Sequence, residues 1–267
     1  MRFAVAILMA IAVLCLLAPL VAPYAPDAID MRNRLAGPSL DHWLGTDHLG
    51  RDLLSRLIWG GRSTILLALI TTLATLALGL LMGAVAGYFG GLIDDGIEGL
   101  VLLFQGLPGL SFMLAIAGTL GPGALSIFIA VVITSWADFA RVVRSETLRL
   151  REAPWVEGLR ALGAGHGRIL AMHVVPNLLG PVLVLFTLRL GRIVLAIAAL
   201  SFLGLGLQPP AAEWGVMIND ARAYYRGAPI LMLAPGLCIL TVALCVNLVG
   251  DGLRDRLAEP DGQEVLP

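Results

Sequence analysis

From Ser63 to Phe89 the chain runs STILLALITTLATLALGLLMGAVAGYF, 27 residues without a charge. A bilayer core about 30 Å thick takes about 20 apolar residues of helix. Lipid offers the backbone no hydrogen-bond partner, so such a run has to satisfy its own N–H and C=O groups as a helix. Comparable apolar runs recur near 97–118, 124–142, 178–204 and 229–249. The head, MRFAVAILMAIAVLCLLAPLVAP, carries one Arg and then stays apolar for the length of a span. It has the length of a span and no clear small-x-small cleavage site, so residues 3–22 read as a first spanning helix rather than a signal peptide. The expected fold is all-α: a polytopic bundle of six transmembrane helices.

Charged residues make up 14% of the chain, against about 25% in soluble domains. All 18 basic residues are Arg. Without Lys there is no P-loop of the Walker type and no Schiff-base chemistry. A formal net charge of -1 gives no reason to expect a nucleic-acid partner, and no motif calls for a cofactor. Cys15, Cys238 and Cys245 all lie in apolar runs and read as small packing residues.

The polar segments divide the chain. Residues 1–22 form the first span and 23–62 an external loop. Residues 63–250 form the core membrane domain, with GGLIDDGIE as a short turn, a long cytoplasmic stretch at 143–175 and a loop at 207–228. Residues 251–267 are a charged tail expected to end in disorder. Six spans put both termini on one side. Arg141, Arg144, Arg149, Arg151, Arg160 and Arg168 belong to that side, with Arg2, Arg254 and Arg256. The other side holds Arg32, Arg34, Arg51, Arg56, Arg62, Arg222 and Arg226. The small excess places the termini in the cytoplasm. Small residues throughout the spans, as in LGLLMGAVAG, allow helices to approach closely.

The stretch EGLRALGAGHGRILAMHVVPN, Glu157 to Asn177, interrupts this apolar pattern. Val156, Leu159 and Leu162 share one face of a short helix. Gly163 or Gly165 can end it in the left-handed conformation. RILAMHVV reads as a second short helix, and Pro176 opens the fifth span. This is either an interfacial amphipathic loop or a docking helix for a soluble partner.

Here the chain resembles the permease subunits of bacterial ABC importers, in the segment called the EAA motif. The pattern Glu-Ala-Ala, three residues, Gly, then an apolar residue and Pro is matched by Glu157, Gly158, Leu159, Arg160, Ala161, Leu162 and Gly163, then Val175 and Pro176. Gly158 and Leu159 stand where the family usually has two Ala, and Val175 where it usually has Leu. HWLGTDHLGRDLLSRLIWGGRST, AGYFGG, LSFLGLGLQPP, EWGVMINDAR and NLVGDGLRDRL are similar to the dipeptide/oligopeptide/nickel class, in its C-type subunits. HLGRD and WGVMINDAR are most similar to the nickel members. The resemblance implies a type I ABC-importer permease fold in the inner membrane and a subunit with no catalytic activity of its own. It also implies a second, distinct permease subunit, two ATP-binding subunits, an external solute-binding protein and surrounding lipid. Residues 157–163 would sit in a groove of an ATP-binding subunit. Rival readings are a stand-alone secondary transporter, which should have internal symmetry, and a membrane-bound hydrolase.

Two further groups stand out. Arg189 and Arg192 fall inside the fifth span, where a charge costs about 2.5–3.5 kcal/mol on insertion scales. They either line the path of an anionic solute or pair with carboxylates or carbonyls of a neighbouring subunit. Glu98, Asp138 and Asn247 are expected at interfaces or in pairs. Asp41, His42, Asp47 and His48 read as a loop whose polar side chains cap a helix and bind water, although such groups can also bind Zn or Ni. His166 and His173 read as packing or solvated residues.

Overall fold

A computed structural model describes residues 1–258, and these are helical apart from loops and one isolated bridge between Thr46 and Asp52. The principal helices are α1 (Arg2–Leu16), α2 (Leu53–Phe89), α3 (Gly91–Gly106), α4 (Gly109–Leu120), α5 (Ala124–Arg151), α6 (Pro154–Ala161), α7 (Leu179–Phe202), α8 (Trp214–Ala221) and α9 (Ile230–Ala258). The part of the tail expected to be disordered, 259–267, lies outside the described residues.

The all-α expectation holds, while the six-span count is met approximately. Four described helices (α2, α5, α7 and α9) are long and apolar enough to cross a membrane, and α3 with α4 makes a fifth if that bent pair is one span. The pair is bent by 91°. Pro108 cannot donate a backbone hydrogen bond and disfavours helix at Leu107, so the run expected as one helix at 97–118 breaks there. The first span is also broken. α1 stops at Leu16 and a separate turn, Ala18–Val21, carries Pro19 at its start.

Other boundaries move. α2 begins ten residues before the expected start at Ser63, because Asp52 caps it by accepting from the Ser55 backbone N–H at 2.7 Å. At 37 residues it is about 55 Å long, so its first turns, with Arg56 and Arg62, extend past a 30 Å core. The expected turn at 90–96 is helical from Gly91. α5 continues to Arg151 and α9 to Ala258, so the 143–175 stretch and the tail both begin as extensions of spans.

α2 and α5 form the closest pairing. Gly79, Gly83 and Gly87 recur every four residues on one face of α2. A Cβ at these positions would lie 2.9, 2.4 and 2.7 Å from the carbonyl oxygens of Trp136, Ala140 and Arg144. Only Gly lets the two backbones come so near, the small-residue logic of membrane helix packing.

The 23–52 loop is tied down by charge. Arg51 and Arg56 are both buried. Asp47 meets Arg51 Nε at 2.6 Å and Arg56 Nε at 3.4 Å, and Asp220 of α8 lies 3.6 and 3.9 Å from the same two guanidinium groups. Each charge thus has partners, as burial demands. The 207–228 stretch is equally anchored. Glu213, fully buried, accepts from the Gly215 and Val216 N–H groups and from Thr64 Oγ, all at 3.0 Å. Trp214 Nε1 donates to the Leu57 carbonyl at 2.9 Å.

Candidate functional site

The polar interruption opens with the short helix expected from its residues, α6. Pro154 occupies the first turn of α6, where its missing N–H is no loss. Gly163 ends the helix with φ +81°, the left-handed cap, and Gly165 does not adopt it. The Gly163 N–H donates to the Arg160 carbonyl at 2.9 Å and the Ala164 N–H to the Leu159 carbonyl at 3.0 Å, satisfying the orphan carbonyls of the last turn.

Val156 is fully buried and Leu159 partly so. Both enter an apolar cluster with Ala84 and Tyr88 of α2, Val143 of α5, and Ile169, Val174 and Leu178. This seats α6 across the ends of α2 and α5. Glu157, Gly158, Arg160, Ala161, Leu162 and Gly163 are all exposed. Leu162 is the correction to the expected buried face: it is 86% exposed rather than aligned with Val156 and Leu159. A protruding leucine beside two glycines with open space around them makes a shallow, partly apolar contact surface.

Tyr88 holds this segment from below. Its hydroxyl is 3.2 Å from His166 Nδ1, and the Arg160 guanidinium lies 5.6 Å from its ring centre. His166 is thus a bonded surface residue. Pro176 is not brought to α6. It lies in the turn Val175–Asn177, after a wide π turn at Leu170–Val174, and the fifth span begins three residues later at Leu179. A proline N has no hydrogen to donate back along the helix.

The second site lies within the membrane part. Arg189 and Arg192 of α7 lie on one face and line a cavity of about 300 Å³, with Thr134, Ser135 and Asp138 of α5 and Met113 of α4 on its walls. Arg189 donates to Asp138 Oδ2, and the other oxygen, Oδ1, accepts from Gln105 Nε2 of α3 at 3.0 Å. Three helices therefore meet at one carboxylate. Arg189 has a partner within this chain, and the ion pair is part of the cavity wall. Glu98 also pairs as expected, 3.6 Å from Arg144, which bonds Asp94 at 2.8 Å.

The side chains of the first loop make other contacts, and no three or more His, Cys, Asp or Glu among the described residues are grouped to hold a metal ion. Asp47 is held by Arg51 and Arg56, His42 Nδ1 is 3.0 Å from Asp52, and His48 stacks on Tyr224 at 5.4 Å between ring centres. Sequence reasoning missed Gln105 and Tyr88 as partners. Neither carries a local signal, because their contacts span 33 and 78 residues.

The Binding-protein-dependent transport system inner membrane component family matches residues 79–259, well over half of the chain, and that range includes both α6 and the cavity arginines. The chain belongs to this family. The N-terminal TM domain of oligopeptide transport permease C matches residues 2–38 of the permease. The permease is 41% identical over 256 residues to the nickel transport system permease protein NikC of Escherichia coli (strain K12), covering 96% of this chain and 92% of that one. It is 38% identical to the dipeptide transport system permease protein DppC of Alkalihalophilus pseudofirmus, over 91% of this chain and 80% of that protein. It is 39% identical to the glutathione transport system permease protein GsiD of Pectobacterium atrosepticum, over 88% and 78%. The fold is that of a chain in the inward-facing MetNI methionine ABC transporter, with a TM-score of 0.63 at 15% identity, over 78% of this permease and 98% of that chain. This permease is therefore a multi-pass inner-membrane subunit of the nickel/peptide class of ABC importers, which displaces the secondary-transporter and hydrolase readings.

Proposed function

We propose that this permease pairs with a second, distinct permease subunit to form the membrane path, with two ATP-binding subunits below and an external solute-binding protein above. Both termini face the cytoplasm and lipid surrounds the pair. Its solutes are peptides, nickel or metal–chelate complexes, in keeping with the transport systems that its relatives' names describe. The observation that carries this reading is α6. Its buried residues, Val156 and Leu159, bind it to the membrane bundle, while Glu157, Gly158, Arg160, Ala161, Leu162 and Gly163 are left facing out. A helix fixed on one side and open on the other transmits a push. Closure of the ATP-binding subunits moves α6, and α2 and α5 move with it as rigid bodies.

Arg189 and Arg192 line the translocation path on this reading. Each charge in a span costs about 2.5–3.5 kcal/mol on insertion scales, and a water-filled path relieves that cost. Asp138 offsets Arg189.

The test uses Glu157→Lys and Gly163→Asp in the assembled importer. Glu157 is exposed in the first turn of α6, so reversing it changes the helix itself by about 1 kcal/mol or less. A Cβ at Gly163 meets nothing within 4 Å, and its positive φ costs Asp less than most residues. Both chains therefore fold. Loss of assembly, or ATP hydrolysis without uptake, is the expected result. Normal uptake by both variants would remove α6 as the coupling element.

A further inference from the structure

The cavity between α4, α5 and α7 is unbalanced in charge. Its charged lining residues are Arg189, Arg192 and Asp138, two cations against one anion. Arg189 is matched by Asp138, whereas no ion pair among the described residues involves Arg192, whose side chain is exposed to the cavity. Both arginines fall near the middle of the 24-residue α7, where uncompensated charge is least tolerable. Resting on the reading that these arginines line the path, we propose that the cavity is an anion subsite. It takes a compact solute bearing a carboxylate or comparable anionic group, with Asp138 as the resident counter-ion that this group displaces.

The bonding around Asp138 fits an exchange. Its carboxylate is split between two partners, Arg189 on Oδ2 and Gln105 Nε2 on Oδ1. The side chains of Arg189 and Asp138 are 20% and 37% exposed, so the pair is open to the cavity rather than sealed. When an incoming carboxylate takes Arg189, Asp138 keeps its hydrogen bond to Gln105, and the cavity then holds two cations against two anions. Arg192, one turn along the same face, supplies the second cation. Gln105 lies in the last turn of α3, two residues before the 91° bend. Release of Asp138 from Arg189 therefore loosens the contact between α7 and α5, to which the bent pair is tied through Gln105, so occupancy is felt by the helices on both sides. At about 300 Å³ the space lies at the small end for ligand pockets.

The local charge can be read without knowing the solute. In the complete importer in lipid nanodiscs, with Cys15, Cys238 and Cys245 replaced by Ala, Ala196→Cys places a thiol on the cavity wall one turn beyond Arg192. Its modification rates are measured with anionic sulfonatoethyl methanethiosulfonate and cationic trimethylammonioethyl methanethiosulfonate, each normalised to its rate with a free small thiol. The expected ratio favours the anionic reagent. Arg192→Ala should lower that ratio about five-fold and Asp138→Asn raise it by a similar factor, as a unit charge acts across several ångströms of partly wet protein. If neither reagent reacts, the cavity is closed to water and the path reading itself fails. If both react but the ratio ignores Arg192→Ala or favours the cation, the path reading stands and the anion subsite is overturned. An unchanged ratio in Asp138→Asn removes the displaceable counter-ion. Should that variant fail to assemble, Arg192→Ala, whose side chain has no partner to strand, decides the subsite alone.

Discussion

Gly83→Ala adds one methyl group where the α2 and α5 backbones approach each other most closely. The new Cβ would lie 2.4 Å from the Ala140 carbonyl oxygen, 2.8 Å from Val143 Cβ and 3.0 Å from the Arg144 backbone N. Cβ contacts below 3.0 Å essentially do not occur, and two of the three neighbours are backbone that cannot turn aside. The helices must part by at least the difference between 2.4 and 3.0 Å. A gap of that size forfeits roughly a quarter to a half of each dispersion contact it opens, and it extends to Gly79 and Gly87, which touch the same partner. Overpacking of this kind costs about 1–3 kcal/mol, and the shared backbone contact argues for the upper end. The better helix propensity of Ala returns up to about 1 kcal/mol, leaving a net loss of about 2 kcal/mol. Gly96→Ala is the control: it is helical, and a Cβ there meets nothing within 4 Å, so it should be neutral or slightly stabilising. Denaturant unfolding in mixed micelles, followed through the buried Trp136 at this contact, measures both. Equal stability of the two variants would refute the close-packing argument.

Two further outcomes are expected. Glu213→Ala removes a helix cap and leaves a buried hydroxyl at Thr64 without its acceptor; the sum is about 2–4 kcal/mol, and limited proteolysis should then cut within 207–228 where the parent chain resists. Ala223 is exposed just after α8, so Ala223→Cys in intact spheroplasts should react with a membrane-impermeant maleimide, and reaction only after lysis would reverse the proposed topology.

Much of the architecture was legible because lipid makes hydropathy decisive. The runs at 124–142, 178–204 and 229–249 match α5, α7 and α9 to within two residues at the apolar ends that they share. α6 was legible for a local reason, an apolar pair closed by a glycine with positive φ at Gly163. The start of α2 was hidden because Arg56 and Arg62 look like loop residues until Asp47 and the sequence-remote Asp220 neutralise the buried Arg56. The turn expected at 90–96 is helical, with Asp94 held by Arg144 fifty residues away. The bend at Leu107–Pro108 interrupts a window that reads as uniformly apolar, and hydropathy carries no direction. The cavity was half legible: two arginines in a span signal a polar neighbourhood, while their meeting with Asp138 and Gln105 depends on how three helices cross.

The central claim is that α6 is the surface through which ATP-binding subunits drive this permease. Leu162, 86% exposed at the end of α6, is the position from which to measure it. A photo-crosslinking amino acid placed there in the full importer should yield an adduct with an ATP-binding subunit, with a yield that changes when ATP hydrolysis is blocked. Adducts with lipid or with the other permease alone, at a yield indifferent to nucleotide, would contradict it.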